Sequence, residues 1–297
     1  MSLEKCTLCP RKCNVPRSDV STGYCGVGDD LYVARAALHM WEEPCISGEE
    51  GSGTVFFSGC NLRCVYCQNY DIAAGRAGKK ITVDRLSQIF LELQEKQANN
   101  INLVTPAHYV KKIAEALKKA KASGLKIPIV YNTSGYESVS TLKMIDGLID
   151  VYMPDFKYFD SELSLKYSNA KDYCEVAKKA LAEMYRQVGK PQFNKKGIMT
   201  KGMIVRHLVL PGLSEDSKNV IKYLFATYSN NIYISIMNQY TPLDNVKNYP
   251  EINRRITGEE YEEIVNYAID IGVENGFIQE DGTSEESFIP AFDYEGV

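Results

Sequence analysis

The sequence predicts an α/β fold built on a parallel sheet, and three observations carry that expectation. Short apolar runs alternate with helical repeats from residue 54 onward. The stretch before residue 54 does not share the alternation and is rich in glycine and cysteine. A second cysteine-rich loop follows directly on the first strand-like run, where α/β proteins gather their ligands.

The elements follow in order. TVFFS (54–58) is a short buried-strand run, and the first helical segment covers 83–97. INLVT (101–105) reads as a strand and 109–122 as an amphipathic helix. IPIVYN (127–132) and DVYMPDF (150–156) are strands separated by a short helix at 138–145. Residues 161–188 contain one long helix or two, because KDYCEVAKKALAEMYRQV keeps a helical apolar repeat. MIVRHLVL (203–210) is a strand stopped by Pro211-Gly212, and helix 219–228 and strand 232–237 follow it. A final helix at 259–275 starts after Thr257, a cap candidate.

Six strands fall short of the closed eight-stranded barrel, and a doubly wound open sheet remains an alternative. Residues 1–53 read as a cysteine-rich, metal-stapled subdomain with a linker. Residues 54–276 form the core, and 277–297 a tail packing on it.

At 297 residues, with 44% hydrophobic and 24% charged residues, the chain can bury a substantial core. A net charge of −4 and a pI near 5.6 leave no footprint for nucleic acid or for an anionic membrane. No apolar run approaches the roughly eighteen residues of a membrane span. MSLEKCTLCPRKC lacks the apolar core of a signal peptide, so a soluble cytoplasmic protein is expected.

In that compartment clustered cysteines argue for metal before disulfide. SGCNLRCVYCQN places Cys60, Cys64 and Cys67 in one tight loop with no Cys or His following nearby. Thiolates suit zinc or iron–sulfur clusters, and closed zinc sites take four ligands. Three thiolates on a cubane leave one iron open to a small molecule. Cys6, Cys9, Cys13 and Cys25 form a second group of four, which suits structural zinc or a second [4Fe–4S] cluster. A redox-active disulfide there is a third reading. Arg11, Lys12 and Arg17 beside them raise a zinc-knuckle nucleic-acid-binding module as one alternative function. An iron–sulfur electron-transfer protein is the other. Cys174, among apolar helix neighbours, reads as a buried inert thiol.

CNLRCVYC resembles the Cys-x3-Cys-x-aromatic-Cys motif of the radical S-adenosylmethionine (SAM) superfamily. More closely, GSGTVFFSGCNLRC with CQN, behind a cysteine-rich N-terminal segment, resembles the uncharacterised homologues of pyruvate formate-lyase activating enzyme. The resemblance implies a partial (β/α)6 barrel, with a [4Fe–4S] cluster on Cys60, Cys64 and Cys67. Its open iron would chelate SAM, and Tyr66 would lie near the adenine. Reductive cleavage to a 5′-deoxyadenosyl radical would then abstract a hydrogen atom from substrate. Activating enzymes act on glycyl-radical enzymes, so a protein or peptide substrate is implied, with flavodoxin or ferredoxin as electron donor.

Other positions carry over in the same way. The family's Gly-Gly-Glu segment is absent from NINLVTPAHYV, where Thr105 and carbonyls around Pro106 are the available acceptors. His108, just beyond, either donates to substrate or solvates a helix end. Asn132 and Thr133 match an Asp-Thr pair, and Met153, Asp155 and Lys157 match Met-Leu-Asp-Leu-Lys; in the family the positions of Asn132, Thr133, the Met153 carbonyl and Asp155 can hold a cation by the SAM carboxylate. Arg206 matches the arginine of an Arg-x4-Pro-Gly segment, with the cofactor carboxylate or Asp155 as its partner. Gln239 stands where a ribose-contacting His is found. WEEP (41–44) also matches the family: either Trp41, Glu42, Glu43 and Cys45 line the substrate approach, or Trp41 packs with a turn at Pro44.

Overall fold

The structure is a computed structural model that describes residues 5–18, 21–279 and 292–297. Its elements are β1 (Leu31–His39), α1 (Pro44–Ser47), β2 (Ser52–Phe57), α2 (Tyr70–Ala73), β3 (Lys79–Ile81) and α3 (Val83–Glu95). Then come β4 (Ile101–Val104), α4 (Val110–Ala122), β5 (Ile129–Thr133), α5 (Val139–Leu142), β6 (Val151–Pro154), α6 (Ser161–Ser168) and α7 (Tyr173–Val188). The last are β7 (Gln192–Phe193), β8 (Met199–Leu208), α8 (Ser214–Tyr228), β9 (Tyr233–Met237), α9 (Gly258–Asp270) and β10 (Gly276–Ile278).

All six expected strands are present, and β2, β4, β5, β6, β8 and β9 lie side by side in parallel. They succeed one another without the reversal of order that a doubly wound sheet requires. Right-handed crossovers that always advance one way put the connecting helices on one face. The other face becomes the inside of a partial barrel. β10 adds a further parallel strand beyond β9. Among the described residues the two ends of the sheet, β10 and β3, do not join.

The alternation missed β1, because LYVARAALH is rich in alanine, a good helix former. Pairing overrides that preference: β1 runs antiparallel to β2 from Val33 opposite Phe57 to His39 opposite Ser52. The sheet therefore continues through the boundary drawn at residue 53. The chain end also reaches β1, where Ala36 N donates to Glu295 O (2.8 Å) and Tyr294 N to Ala34 O (3.2 Å). Residues 280–291 of the expected tail lie outside the described residues.

The 161–188 segment is two helices, broken where Asn169 takes the left-handed conformation (φ 49°) and ends α6. α9 starts as expected at Thr257, which forms a reciprocal capping box with Glu260. Among the described residues no helix is long and apolar enough to cross a membrane.

Two apolar layers sandwich the sheet. The outer one packs α3, α4 and α7 on side chains such as Leu103, Tyr131 and Tyr152. Inside the barrel, Cys45 and Ile46 of α1 pack on Val130, Val151, Met153 and Ile204. The WEEPC segment is thus a plug, and it leaves Trp41 exposed (66%) while burying Glu42 and Glu43.

Glu137 sits in the outer layer, where Thr133 Oγ1 donates to its Oε1 (2.5 Å). Burial pushes its carboxyl from 4.5 up to about 7, against the pull of that hydrogen bond. The folded chain then keeps a proton that the unfolded chain releases. Its contribution is complete below pH 4.5 and falls as pH rises through about 7. Glu137→Gln cannot titrate, so its stability advantage over wild type should grow between those values, by about 3 kcal/mol. Unfolding at a series of pH values measures this, and parallel profiles would rule out Glu137 as the titrating group.

Candidate active site

The cysteine loop leaves the C-terminal end of β2 through Gly59, whose φ of 90° suits glycine. A Cβ there would lie 2.8 Å from Cys25 O. Within the loop, Cys67 N donates to Cys64 O (3.1 Å) and Leu62 N to Cys60 Sγ (3.4 Å). Asn61 Nδ2 ties the loop to Tyr136 O (2.7 Å). Ser168, at the end of α6, donates its hydroxyl to Cys64 Sγ (2.9 Å). The same hydroxyl meets Tyr158 OH (2.8 Å), which in turn meets Tyr66 OH (2.7 Å), forming one buried chain of hydrogen bonds. Burial raises the Cys64 thiol, and it pushes Cys67 up to about 12 with help from Cys64 and Cys60. Such thiols become thiolates only beside a strong positive partner, and a coordinated metal is one.

Below the loop lies a cavity of about 480 Å³. Cys64, Tyr66 and Cys67 border it on the loop side, Asn132, Asp155, Arg206 and Gln239 come from the strand ends, and Glu42 and Glu43 rise from the plug. Arg206 is its hub. Its Nε donates to Asp155 Oδ1 (3.0 Å), Nη2 to Asn132 Oδ1 (2.7 Å), and Nη1 to Glu42 Oε2 (3.3 Å). Lys157 Nζ takes the other Asp155 oxygen (2.7 Å), and Asn102 Nδ2 donates to Glu42 Oε1 (2.8 Å).

Burial alone would raise the Asp155 carboxyl, but Lys157 and Arg206 together hold it below its ordinary value. For Glu42 and Glu43 burial outweighs Arg206 and both carboxyls are raised. Three acids (Glu42, Glu43, Asp155) thus face two cations (Lys157, Arg206). Glu43 Oε2 is buried without a hydrogen-bond partner among the described residues. An unsatisfied buried carboxylate oxygen is costly, which marks this atom for a ligand.

The structure brings most of the sequence-read residues together. Cys60, Thr105 and Thr133 are the exceptions: Cys60 and Thr105 do not line the cavity, and the Thr133 hydroxyl is turned to Glu137 on the outer face. Asn132 and Thr133 are neighbours in a strand, so one side chain must point away from the interior. His108 is buried against Ser58 O (2.7 Å), and burial lowers it to about 4, so it stays neutral and pins the strand end. The sequence offered Glu42 and Glu43 as lining the substrate approach, and both line the cavity, whereas the contact of Ser168 with Cys64 was missed. The acid pair before Pro44 was the visible signal; nothing local in the sequence marks Ser168. A larger cleft of about 700 Å³, between α7 and the start of α8, holds none of these groups except a rim contact with Cys174.

A loop of three cysteines above a charged cavity, at the C-terminal ends of a partial barrel, defines a cluster-dependent α/β enzyme class. Residues 54–224 match the radical SAM superfamily, and the chain belongs to it. An uncharacterized protein of Methanocaldococcus jannaschii is 29% identical over 274 residues, spanning 89% of this chain and 74% of that protein. Methylornithine synthase (PylB) shares the fold at a TM-score of 0.54 and 12% identity, over 82% of this chain and 72% of its own. Streptococcus suis SuiB, solved bound to S-adenosylmethionine, does so at 0.52 and 13%, over 75% of this chain. The chain spans about half of SuiB, 49%. Membership implies a [4Fe–4S] cluster and cleavage of SAM to a radical. The donor set fits both: soft thiols for iron, and for SAM a cavity with cations and an unpaired carboxylate oxygen.

Arg206→Met should destabilise the protein by about 3–5 kcal/mol, because Asp155 and Glu42 would remain buried with too little positive charge. Adding Glu42→Gln should recover part of the loss. Denaturant unfolding of both variants tests this, and a near-neutral single substitution would show that the network does not hold the interior.

Proposed function

We propose that Cys60, Cys64 and Cys67 hold the [4Fe–4S] cluster, and that SAM and a substrate share the cavity beneath. The supporting observation is that two of the three thiols border the one cavity that also gathers Asn132, Asp155, Arg206 and Gln239. Reduction of bound SAM supplies a 5′-deoxyadenosyl radical that takes a hydrogen atom from the substrate. The chain's own residues prepare that event. Lys157 and Arg206 offer positive charge to a carboxylate, and Asp155 holds both in place. Gln239 offers an amide to the ribose. Tyr66, fixed by Tyr158 and packed edge-on to Tyr240 (6.0 Å), gives the adenine a rigid aromatic neighbour. Ser168 donates to the Cys64 sulfur, an interaction that tunes cluster potential. The barrel plug excludes water from below.

Glu43 takes the part of the missing Gly-Gly-Glu carboxylate. Its free Oε2 accepts from the SAM ammonium, and the ligand's positive charge offsets the excess of acids in the cavity. A polypeptide substrate is the reading that the resemblance to activating enzymes supports, with a flavodoxin or ferredoxin as donor in the cytoplasm.

Two experiments test this. Anaerobically reconstituted, dithionite-reduced protein should form 5′-deoxyadenosine, whereas Cys64→Ala should not. A full cluster complement that neither cleaves SAM nor changes its EPR spectrum on adding SAM would sink the assignment. Glu43→Gln should weaken SAM binding about tenfold, the loss of one charge-assisted hydrogen bond. Unchanged affinity in equilibrium dialysis would return Glu43 to the substrate or to the fold.

A further inference from the structure

Beside the catalytic loop lies the second group of cysteines. Cys6, Cys9, Cys13 and Cys25 are all free thiols, with Cys9 and Cys25 buried and Cys6 and Cys13 half-buried. They stand near enough for their charges to interact, Cys9 with Cys13 and Cys25, and Cys25 with Cys6 and Cys13. The backbone is shaped around the sulfurs. Tyr24 N donates to Cys13 Sγ (3.3 Å), and the Arg11 amide bonds the Cys9 sulfur. Lys12 (φ 42°) and Asn14 (φ 54°) take left-handed conformations that fold the chain tightly between Cys9 and Val15. A Cβ on Gly23 would stand 3.2 Å from Cys13 Sγ. Amide donors aimed at sulfur, two of them two residues beyond their cysteine, recur in the catalytic loop at Cys60 and Cys67.

This group touches the catalytic loop directly. Cys60 N donates to Cys25 O at 3.3 Å. Arg11 Nε bonds Asn61 O (2.8 Å) while its guanidinium lies 4.0 Å over the Tyr24 ring, and Tyr24 OH bonds Leu62 O (3.0 Å). One peptide hydrogen bond therefore separates a cysteine of one group from a cysteine of the other. Cys6 and Cys13 are the more exposed members of the group.

We propose that Cys6, Cys9, Cys13 and Cys25 hold a second [4Fe–4S] cluster that relays electrons to the cluster at Cys60, Cys64 and Cys67. The destination rests on the proposed function; the second cluster does not. Likeness to the neighbouring loop favours a cluster over structural zinc: amides donate to sulfur in both groups, and a peptide hydrogen bond joins Cys60 to Cys25. A cubane takes one thiolate on each of four irons, which four cysteines supply. In the relay, one electron leaves the reduced second cluster, oxidising it, and enters the first, reducing it. A low-potential one-electron carrier of the flavodoxin or ferredoxin class restores the second.

The test uses the full chain, purified anaerobically, with iron and zinc counted per chain. Cys60→Ala/Cys64→Ala/Cys67→Ala should keep about four irons and a reduced-cluster EPR signal indifferent to SAM. No metal in that variant, or one zinc in place of iron, would overturn the proposal. Wild type holding no more iron than this variant would instead count against the triad and leave the second cluster standing. For the relay, Cys6→Ala/Cys13→Ala should keep the triad cluster reducible by dithionite, yet slow its reduction by flavodoxin at least about tenfold. Equal flavodoxin rates in a variant that has lost four irons would refute the relay.

Discussion

The interior of this barrel depends on one guanidinium. Arg206 reaches two neighbouring strand ends and the plug at once, through Asp155, Asn132 and Glu42. Its side chain is largely buried, and so are those of Glu42 and Asp155. Buried charges are tolerated only when paired and hydrogen-bonded, so the positions of these groups are mutually determined. Planar Arg can serve three partners in fixed directions, which a lysine could not do. The same constraint that holds the fold leaves Lys157 and Glu43 turned to the cavity with capacity to spare.

The plug explains why an N-terminal segment belongs to the site. Cys45 and Ile46 fill the bottom of the barrel with apolar contact, and in doing so they carry two acids inward. Apolar burial thus pays for the placement of charge. The catalytic loop is held from the other side by Arg11, Tyr24 and Cys25. The site is assembled from both halves of the first 67 residues as well as from the barrel strands.

The βα succession was legible because parallel strands buried on both faces read as compact apolar runs, and Thr257 and Glu260 mark their helix by a local rule. The cysteine loop was equally open, since its three cysteines are neighbours in sequence. β1 was not, because its strand conformation comes from pairing with β2 against a helical composition. Thr133 shows the limit of carrying a motif across one residue at a time: strand alternation sends it outward while Asn132 faces in. The Ser168 contact was hidden for a different reason: its partner Cys64 lies 104 residues away, and such a meeting exists only once the chain has folded.

The pairing of β1 with the chain end has a consequence for biosynthesis. Arg35 meets Asp293 and Glu295, 258 and 260 residues further on, and Ala34 and Ala36 exchange backbone hydrogen bonds with the same segment. Beyond Val33, where β3 ceases to pair, these last residues cover the outer edge of β1. On the ribosome that edge stays bare until residues 293–297 have been translated and have cleared the exit tunnel. An uncovered strand edge invites pairing with another chain. A nascent chain is therefore open to misassociation at this edge throughout synthesis of the barrel, and truncation before residue 293 would leave the edge permanently open.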